Sequence, residues 1–211
     1  MPTTLHYVFD PLCGWCYGAS GTVSAAAEAG IDLRLLPGGL FAGPGARPMD
    51  DAFAAYAWAN DQRIERLTGR PFSELYRTRV LADRQQKLDS GPATLALTAV
   101  ALTAPDRELE VLGAIQQARY VDGRDVTRTQ TLVDLLAEKG LVEASARLRQ
   151  PDAALLVAND ARIAHAQALL QAFDARGVPT FIVERDGRRQ VLQTSAAYSD
   201  PQAFLDQFAA A

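Results

Sequence analysis

The chain has 211 residues, of which 48% are hydrophobic and 22% are charged, so it can form one large domain or two interleaved ones. A formal net charge of −4 without a basic stripe argues against a nucleic-acid-binding protein. Two cysteines, Cys13 and Cys16, are too few for a disulfide-stapled scaffold or a four-cysteine zinc site.

The N-terminal segment 1–10 has neither a basic region nor an apolar core, which predicts that the chain carries no signal peptide. The best apolar run, 93–104, is too short to span a bilayer and contains three threonines. From these features we expect a cytoplasmic protein without a membrane partner.

Strand, helix and strand patterns follow one another at the start of the chain. An apolar and β-branched run predicts a strand over 5–9, which Asp10 and Pro11 end. Alanine-rich residues before Gly30 predict a helix, and alternating apolar residues predict a second strand over 31–36. The two cysteines lie where the first strand passes into the helix.

The middle of the chain shows helical patterns only. The loop over 39–48, rich in glycine and proline, predicts a domain junction before them. The predicted helices cover 52–67, 72–81 with Pro71 in its first turn, 92–102, 106–120, 129–139, 144–149 and 151–176. The helix over 92–102 is apolar nearly all round, so we expect it to be buried.

The C-terminal part returns to strands. A strand is predicted over 178–183, a type I′ turn at Asp186 and Gly187, and a second strand over 190–193. A terminal helix is predicted over 203–208, preceded by an Asp-Pro start signal. The order β-α-β, helices, β-β-α predicts an α/β fold with a mixed four-stranded sheet and helices around it.

Cys13 and Cys16 are one helical turn apart, so their sulfurs can form a disulfide. Cys13 lies at the helix start, where free N–H groups and the helix dipole stabilise a thiolate, and is the expected nucleophile. Cys16 lies a turn further in, and we expect it to be more buried and less acidic, as a resolving thiol is. A buried structural pair and a metal site are the alternatives, although His6 and His165 lack the spacing of zinc ligands.

A second motif, Gly177-Val178-Pro179-Thr180, opens the later strand. Proline is tolerated at a strand start for backbone reasons alone. Together with the cysteine pair, it predicts a cis peptide bond between Val178 and Pro179. A cis-proline beside the cysteines would expose the backbone of Val178 for pairing with an extended substrate.

These motifs carry a resemblance to a known family. The segments YVFDPLCGWCYG at 7–18, GVPTF at 177–181 and YVDGRDV at 120–126 resemble the DsbA-like branch of the thioredoxin superfamily, including the protein-disulfide-isomerase-like and FrnE-like bacterial proteins. The resemblance covers essentially the whole chain and implies a thioredoxin fold interrupted by an all-helical domain. The implied thioredoxin-like domain is 1–45 with 175–211, and the implied helical insertion domain is 46–174.

The resemblance implies a thiol-disulfide oxidoreductase or isomerase that acts on protein or small-molecule disulfides. It implies no bound cofactor or metal, and glutathione or another thiol as a redox partner. Carried onto this chain, Cys13 is the nucleophile and Cys16 the resolving thiol. Pro179 is the cis-proline, with Val178 and Thr180 beside it in the substrate-binding strand.

The residues around the cysteines also depart from the family. The dipeptide Gly14-Trp15, expected to tune the redox pair, is neither the Pro-His of periplasmic DsbA nor the Gly-Pro of thioredoxin. Many thioredoxin-like proteins place a buried carboxylate six residues before the nucleophile, where this chain has Tyr7. Asp10 is interpreted as a turn residue near the surface that ends the first strand.

Two other functions stay open at this point. Glutathione-dependent enzymes of the kappa transferase and 2-hydroxychromene-2-carboxylate isomerase type resemble this architecture, but they typically have serine as the nucleophile and no use for Cys16. A chaperone-like peptide-binding module would instead use a groove beside the cis-proline, lined by Trp15, Tyr17 and Trp58, and would not depend on the cysteines. The oligomeric state is left undetermined.

Overall fold

A computed structural model describes residues 3–211; residues 1 and 2, part of the segment read for a signal peptide, lie outside the described residues. The strands are β1 (Thr4–Phe9), β2 (Asp32–Pro37), β3 (Arg47–Pro48), β4 (Lys87–Leu88), β5 (Thr180–Arg185) and β6 (Arg188–Val191). Four of them form one sheet in the order β2-β1-β5-β6, and β3 pairs with β4 in a second, two-stranded sheet. The pair β1–β2 is parallel and the pairs β1–β5 and β5–β6 are antiparallel, so the expected mixed four-stranded sheet is confirmed.

Helices make up most of the remaining described chain. They are α1 (Gly14–Gly18), α2 (Ser20–Glu28), α3 (Asp51–Thr68), α4 (Glu74–Tyr76), α5 (Gly91–Thr103), α6 (Glu108–Tyr120), α7 (Thr129–Glu138), α8 (Val142–Arg149), α9 (Ala153–Ala172), α10 (Ala196–Ser199) and α11 (Pro201–Ala210). No helix in the described range 3–211 combines the length and the apolar character that a membrane crossing requires.

Strand β1 is buried on both faces from Leu5 to Phe9, and these residues are apolar or aromatic except for His6. On one face Tyr7 stacks on Phe181 of β5, with ring centroids 5.0 Å apart, and Phe181 meets Phe204 of α11 at 4.7 Å. On the other face Val8 packs in a separate cluster with Leu169 of α9. The long helix α9 therefore covers one side of the sheet that carries the cysteines.

The helical region is joined to the sheet by a half-buried arginine on α9. Arg162 pairs with Glu108 of α6, donates to Thr98 of α5 at 3.1 Å and donates to the Leu35 carbonyl of β2 at 3.0 Å. Helix α5, between these elements, is buried along most of its length as its all-round apolar pattern predicts.

Short sequence motifs predicted a turn between two strands correctly and the start of one helix incorrectly. Asp186 and Gly187 both have positive φ, as the predicted type I′ turn requires. The helix predicted over 72–81 is present from Glu74, so only its start, with Pro71 in the first turn, is wrong. Helix α4 begins after Ser73, whose hydroxyl accepts from the Tyr76 amide, and continues as a π-helical turn over Arg77–Leu81. The capping hydroxyl satisfies a free helix amide, which a proline cannot do. The short elements β3, β4 and α10 carry no pattern long enough to predict.

Candidate active site

The two cysteines lie where β1 passes into α1, and both are free thiols. Cys13 is the N-cap residue of α1 and is 8% exposed, whereas Cys16 is fully buried behind it. The Cys13 thiol donates to the carbonyl oxygen of Val178 at 3.7 Å, and the Val178–Pro179 peptide bond is cis, as predicted. The structure thus brings together two motifs separated by more than 160 residues.

Burial makes the two thiols unequal. It raises the pKa of the Cys16 thiol well above its ordinary value, and the adjacent Cys13 sulfur raises it further, against a lowering hydrogen bond from the Asp10 backbone. Tyr7 donates its hydroxyl to the Cys16 carbonyl at 3.3 Å, and burial raises the pKa of that phenol too. Cys16 is therefore an enclosed thiol with a raised pKa, and Tyr7, six residues before Cys13, is a protonated phenol.

Asp10 corrects the expectation of a surface turn residue, because it is completely buried. Its carboxylate accepts from the Leu12 amide at 2.9 Å, the Phe41 amide at 3.1 Å and the Ser90 hydroxyl at 2.6 Å. These donors hold the cysteine loop against the helical region and compensate the burial of the charge. Burial still raises the pKa of Asp10 above its usual value. The Asp-Pro signal located the strand end, but the burial came from the partners across the chain.

The remaining predicted site residues take different positions. Trp15 is half-buried and lies edge-on to Tyr198, with ring centroids 5.0 Å apart. Gly14 lies directly against the helical region, since a Cβ atom there would come 2.5 Å from the Asp61 Oδ1 atom. Thr180 is buried and donates its hydroxyl to the Gly177 carbonyl at 2.7 Å, so its side chain supports the cis-proline loop from within.

A cavity of about 340 Å³ opens beside Cys13, between the cysteine loop, the cis-proline loop and the helical region. Most of its wall is apolar or aromatic. That part of the wall is formed by Leu12, Trp15, Leu40, Phe41, Phe53, Tyr56, Ala57, Ile64, Leu81, Leu88 and Val178. Its polar wall consists of Arg47, Asn60, Asp61, Tyr76, Arg119, Tyr120 and Arg176. Such a mixed wall suits a small ligand with both apolar and charged parts.

A buried charge cluster underlies this cavity. Asp61 is 4% exposed, and Tyr76 donates its hydroxyl to Asp61 Oδ2 at 3.0 Å. Burial raises the pKa of Asp61 to about 7, against the lowering effects of Tyr76 and of the positive Arg119. Arg119 is 1% exposed, and its guanidinium carbon lies 5.5 Å from the centre of the Tyr76 ring. Tyr120 donates to the Leu12 carbonyl at 2.7 Å, which links the cluster to the residue before Cys13.

Sequence reasoning missed this cluster, although a signal for it exists. On the amphipathic helix α3, Asp61 occupies the buried stripe together with Ala54 and Ile64. Arg119 is likewise flanked by the buried residues Ala118 and Tyr120. A charged residue at a core position of a helix indicates a buried partner or a functional role, because an uncompensated charge there is costly.

The groove proposed for a chaperone-like module is not assembled as expected. Trp15 lines the cavity beside Cys13. Tyr17 is buried and stacks on Tyr120 with centroids 4.8 Å apart. Trp58 lines a different depression, where Arg77 lies 5.1 Å from its ring centre. Among residues 3–211, no group of three or more His, Cys, Asp or Glu residues is arranged to hold a metal ion.

Comparisons with known proteins identify relatives over the whole chain. The family model of the DSBA-like thioredoxin domain matches residues 4–207. The cytosolic disulfide reductase DsbM from Pseudomonas aeruginosa is 38% identical, with 99% of this chain and 100% of that protein covered and a TM-score of 0.87. A structure of the same reductase with GSH aligns at 35% identity, with 98% of each chain covered and a TM-score of 0.85.

A more distant structure supports the fold alone. It belongs to a protein from Nitrosomonas europaea proposed to be a protein disulfide isomerase, 22% identical over 100% of this chain and 98% of that one, with a TM-score of 0.79. A search among curated proteins found no match.

Proposed function

The chain belongs to the DSBA-like thioredoxin domain family and is a thiol-disulfide oxidoreductase, and we propose that it reduces disulfides in the cytoplasm. The observation that carries the proposal is the inequality of the two thiols. Cys13 is open to a cavity and faces the cis-proline loop, whereas Cys16 is enclosed behind it with a raised pKa. The direction of the reaction and the compartment are supported by the likeness to the cytosolic disulfide reductase DsbM.

The proposed reaction has two exchange steps. The Cys13 thiolate attacks one sulfur of a substrate disulfide, a bond from Cys13 to that sulfur forms, and the other substrate sulfur leaves and takes a proton. Cys16 then gives up its proton and attacks the Cys13 sulfur, which releases the second substrate thiol and leaves a Cys13–Cys16 disulfide. Two molecules of a small thiol reduce that disulfide and are themselves oxidised to a disulfide.

We propose glutathione as that small thiol. A structure of DsbM with GSH is known, and this chain aligns with that structure at 35% sequence identity. The cavity volume of about 340 Å³ lies at the lower end of the range of small-molecule sites. Arg47 and Arg176 on its wall supply positive charge for the carboxylates of a small acidic peptide.

The glutathione transferase alternative is less well supported. Its chemistry needs one thiol-binding residue, whereas this chain has a second cysteine, fully buried, whose thiol interacts with Cys13. Isomerisation of protein disulfides uses the same nucleophile and stays compatible with the site. We also propose the division into a thioredoxin-like part, 1–45 with 175–211, and a helical insertion, 46–174, whose helix α9 shares a core with the sheet.

The test is glutathione-driven reduction of insulin by the wild type, Cys13→Ser and Cys16→Ser, together with single-turnover reduction of glutathione disulfide by the pre-reduced proteins. The chain has no other cysteine, so each variant carries a single thiol. We expect Cys13→Ser to be inactive, and Cys16→Ser to accumulate a mixed disulfide with glutathione that intact-mass spectrometry detects. Equal disulfide reduction by the wild type and Cys13→Ser would refute the proposed function, and conjugation activity that survives Cys16→Ser would favour the transferase.

A further inference from the structure

We propose that Asp61, contributed by helix α3, donates a proton to the sulfur that leaves when Cys13 attacks a substrate disulfide. The inference rests on the proposed function and adds a residue that the cysteine and cis-proline motifs do not contain. It assigns a role to a buried carboxyl that the exchange between Cys13 and Cys16 leaves unused.

The position of Asp61 carries the proposal. Its side chain forms part of the wall of the cavity into which Cys13 opens. Its two carboxyl oxygens differ, since Oδ2 accepts from Tyr76 at 3.0 Å while Oδ1 lies against the backbone of Gly14, next to Cys13. The Tyr76 bond fixes the carboxyl and aims Oδ1 toward the cysteine loop, where the broken disulfide would release a thiolate.

The charged and titratable surroundings are consistent with a proton held there. The groups of this kind that face the cavity with Asp61 are Cys13, Arg47, Tyr76, Arg119, Tyr120 and Arg176. Arg119 and the Tyr76 hydrogen bond favour the carboxylate, but burial outweighs both and brings the pKa of Asp61 to about 7. A carboxyl with this pKa is partly protonated at neutral pH, so it can give a proton and regain one from water in each cycle.

The step balances as follows. The electron pair of the Cys13 thiolate forms the new sulfur–sulfur bond, and the electron pair of the broken bond stays on the leaving sulfur. The Asp61 carboxylic acid transfers its proton to that sulfur, which gives a neutral thiol and an Asp61 carboxylate. A leaving thiolate that is already stable as an anion does not need this proton, so the contribution of Asp61 depends on the leaving group.

The experiment compares two disulfides in single-turnover reactions with the reduced enzyme across pH 5 to 9. Glutathione disulfide releases a basic alkyl thiolate, and 5,5′-dithiobis(2-nitrobenzoate) releases an acidic aromatic thiolate. For the wild type we expect the alkyl reaction, relative to the aromatic one, to slow as the pH rises above about 7, because Asp61 loses its proton. Asp61→Asn keeps the size and an acceptor for Tyr76, and should slow the alkyl reaction about tenfold to a hundredfold at pH 6.5 while sparing the aromatic one.

Asp51→Asn is the matched control, since Asp51 lies on the same helix but is exposed and pairs with Arg84. It should change neither reaction. Equal slowing of both disulfides by Asp61→Asn would assign Asp61 a structural role and overturn the proposal. Identical pH profiles for the two disulfides in the wild type would overturn it without any variant. If Asp61→Asn slows both disulfides equally, or if the two wild-type pH profiles are identical, while Cys13→Ser is inactive, then only the role of Asp61 is refuted. The proposed function is retained in that case.

Discussion

The contact between Gly14 and the helical region gives a sharp stability prediction. An alanine Cβ at position 14 would lie 2.5 Å from Asp61 Oδ1 and 3.3 Å from Ile64 Cδ1. The Asp61 carboxyl cannot swing away freely, because it is buried and held by Tyr76. Gly14→Ala must therefore displace α3 or the cysteine loop, although the backbone conformation itself suits alanine.

The expected magnitude follows from two opposing effects. Inserting a methyl group into a packed contact costs about 1–3 kcal/mol. Alanine gains about 0.5–1 kcal/mol over glycine in a helix, which offsets part of that cost. The net loss in the free energy of unfolding should be about 0–2.5 kcal/mol. Gly113→Ala is the matched control, because a Cβ on this helical glycine meets nothing within 4 Å, and it should stabilise the protein by about 0.5–1 kcal/mol.

Urea unfolding of Gly14→Ala, Asp61→Ala and the double variant tests the reasoning. If the clash with Asp61 is the cause, shortening Asp61 relieves it. The double variant should then lose at least 1 kcal/mol less unfolding free energy than the two single variants lose in sum. Additive losses would refute the packing of Asp61 on the cysteine loop.

Three further substitutions have defined outcomes. The pKa of Asp61 rises from 3.8 to about 7 on folding, so its protonated form stabilises the fold at low pH and this contribution is lost as the pH rises to 7. Asp61→Asn lacks this dependence. Its free energy of unfolding relative to the wild type, measured by urea titration, should therefore increase by about 4 kcal/mol between pH 4 and pH 8. Tyr120→Phe leaves the Leu12 carbonyl without its donor and should lower the free energy of unfolding by about 1–3 kcal/mol; an unchanged value would contradict this. Arg162→Ala leaves Glu108 as an unpaired buried carboxylate and should cost about 3–5 kcal/mol at pH 7. Burial raises the pKa of Glu108, so this loss should become smaller as the pH falls; a loss independent of pH would argue against the ion pair.

The redox pair and its fold were accessible from local signals. Two cysteines at helical spacing between a strand and a helix predict a nucleophile and an enclosed second thiol, and burial in the structure agrees with that order. The sequence predicts the turn at Asp186 and Gly187 and the cis peptide bond between Val178 and Pro179, because adjacent residues determine their backbone geometry. The helix start predicted at Pro71 was wrong because the Ser73 hydroxyl, two residues later, caps the helix.

Burial and long-range contacts were not accessible in this way. Asp10 reads as a turn residue, and only its donors Phe41 and Ser90, distant in sequence, make it an interior carboxylate. Asp61 reads as one more acid on an amphipathic helix, and only the packing of α3 against Gly14 places it beside Cys13. The sequence by itself determined the position of the cysteine pair and the individual strands of the sheet that holds it, because each of these depends on residues close together in the chain. The tertiary structure decided which carboxyl lies beside them and with what pKa, because desolvation is a property of everything that surrounds a group.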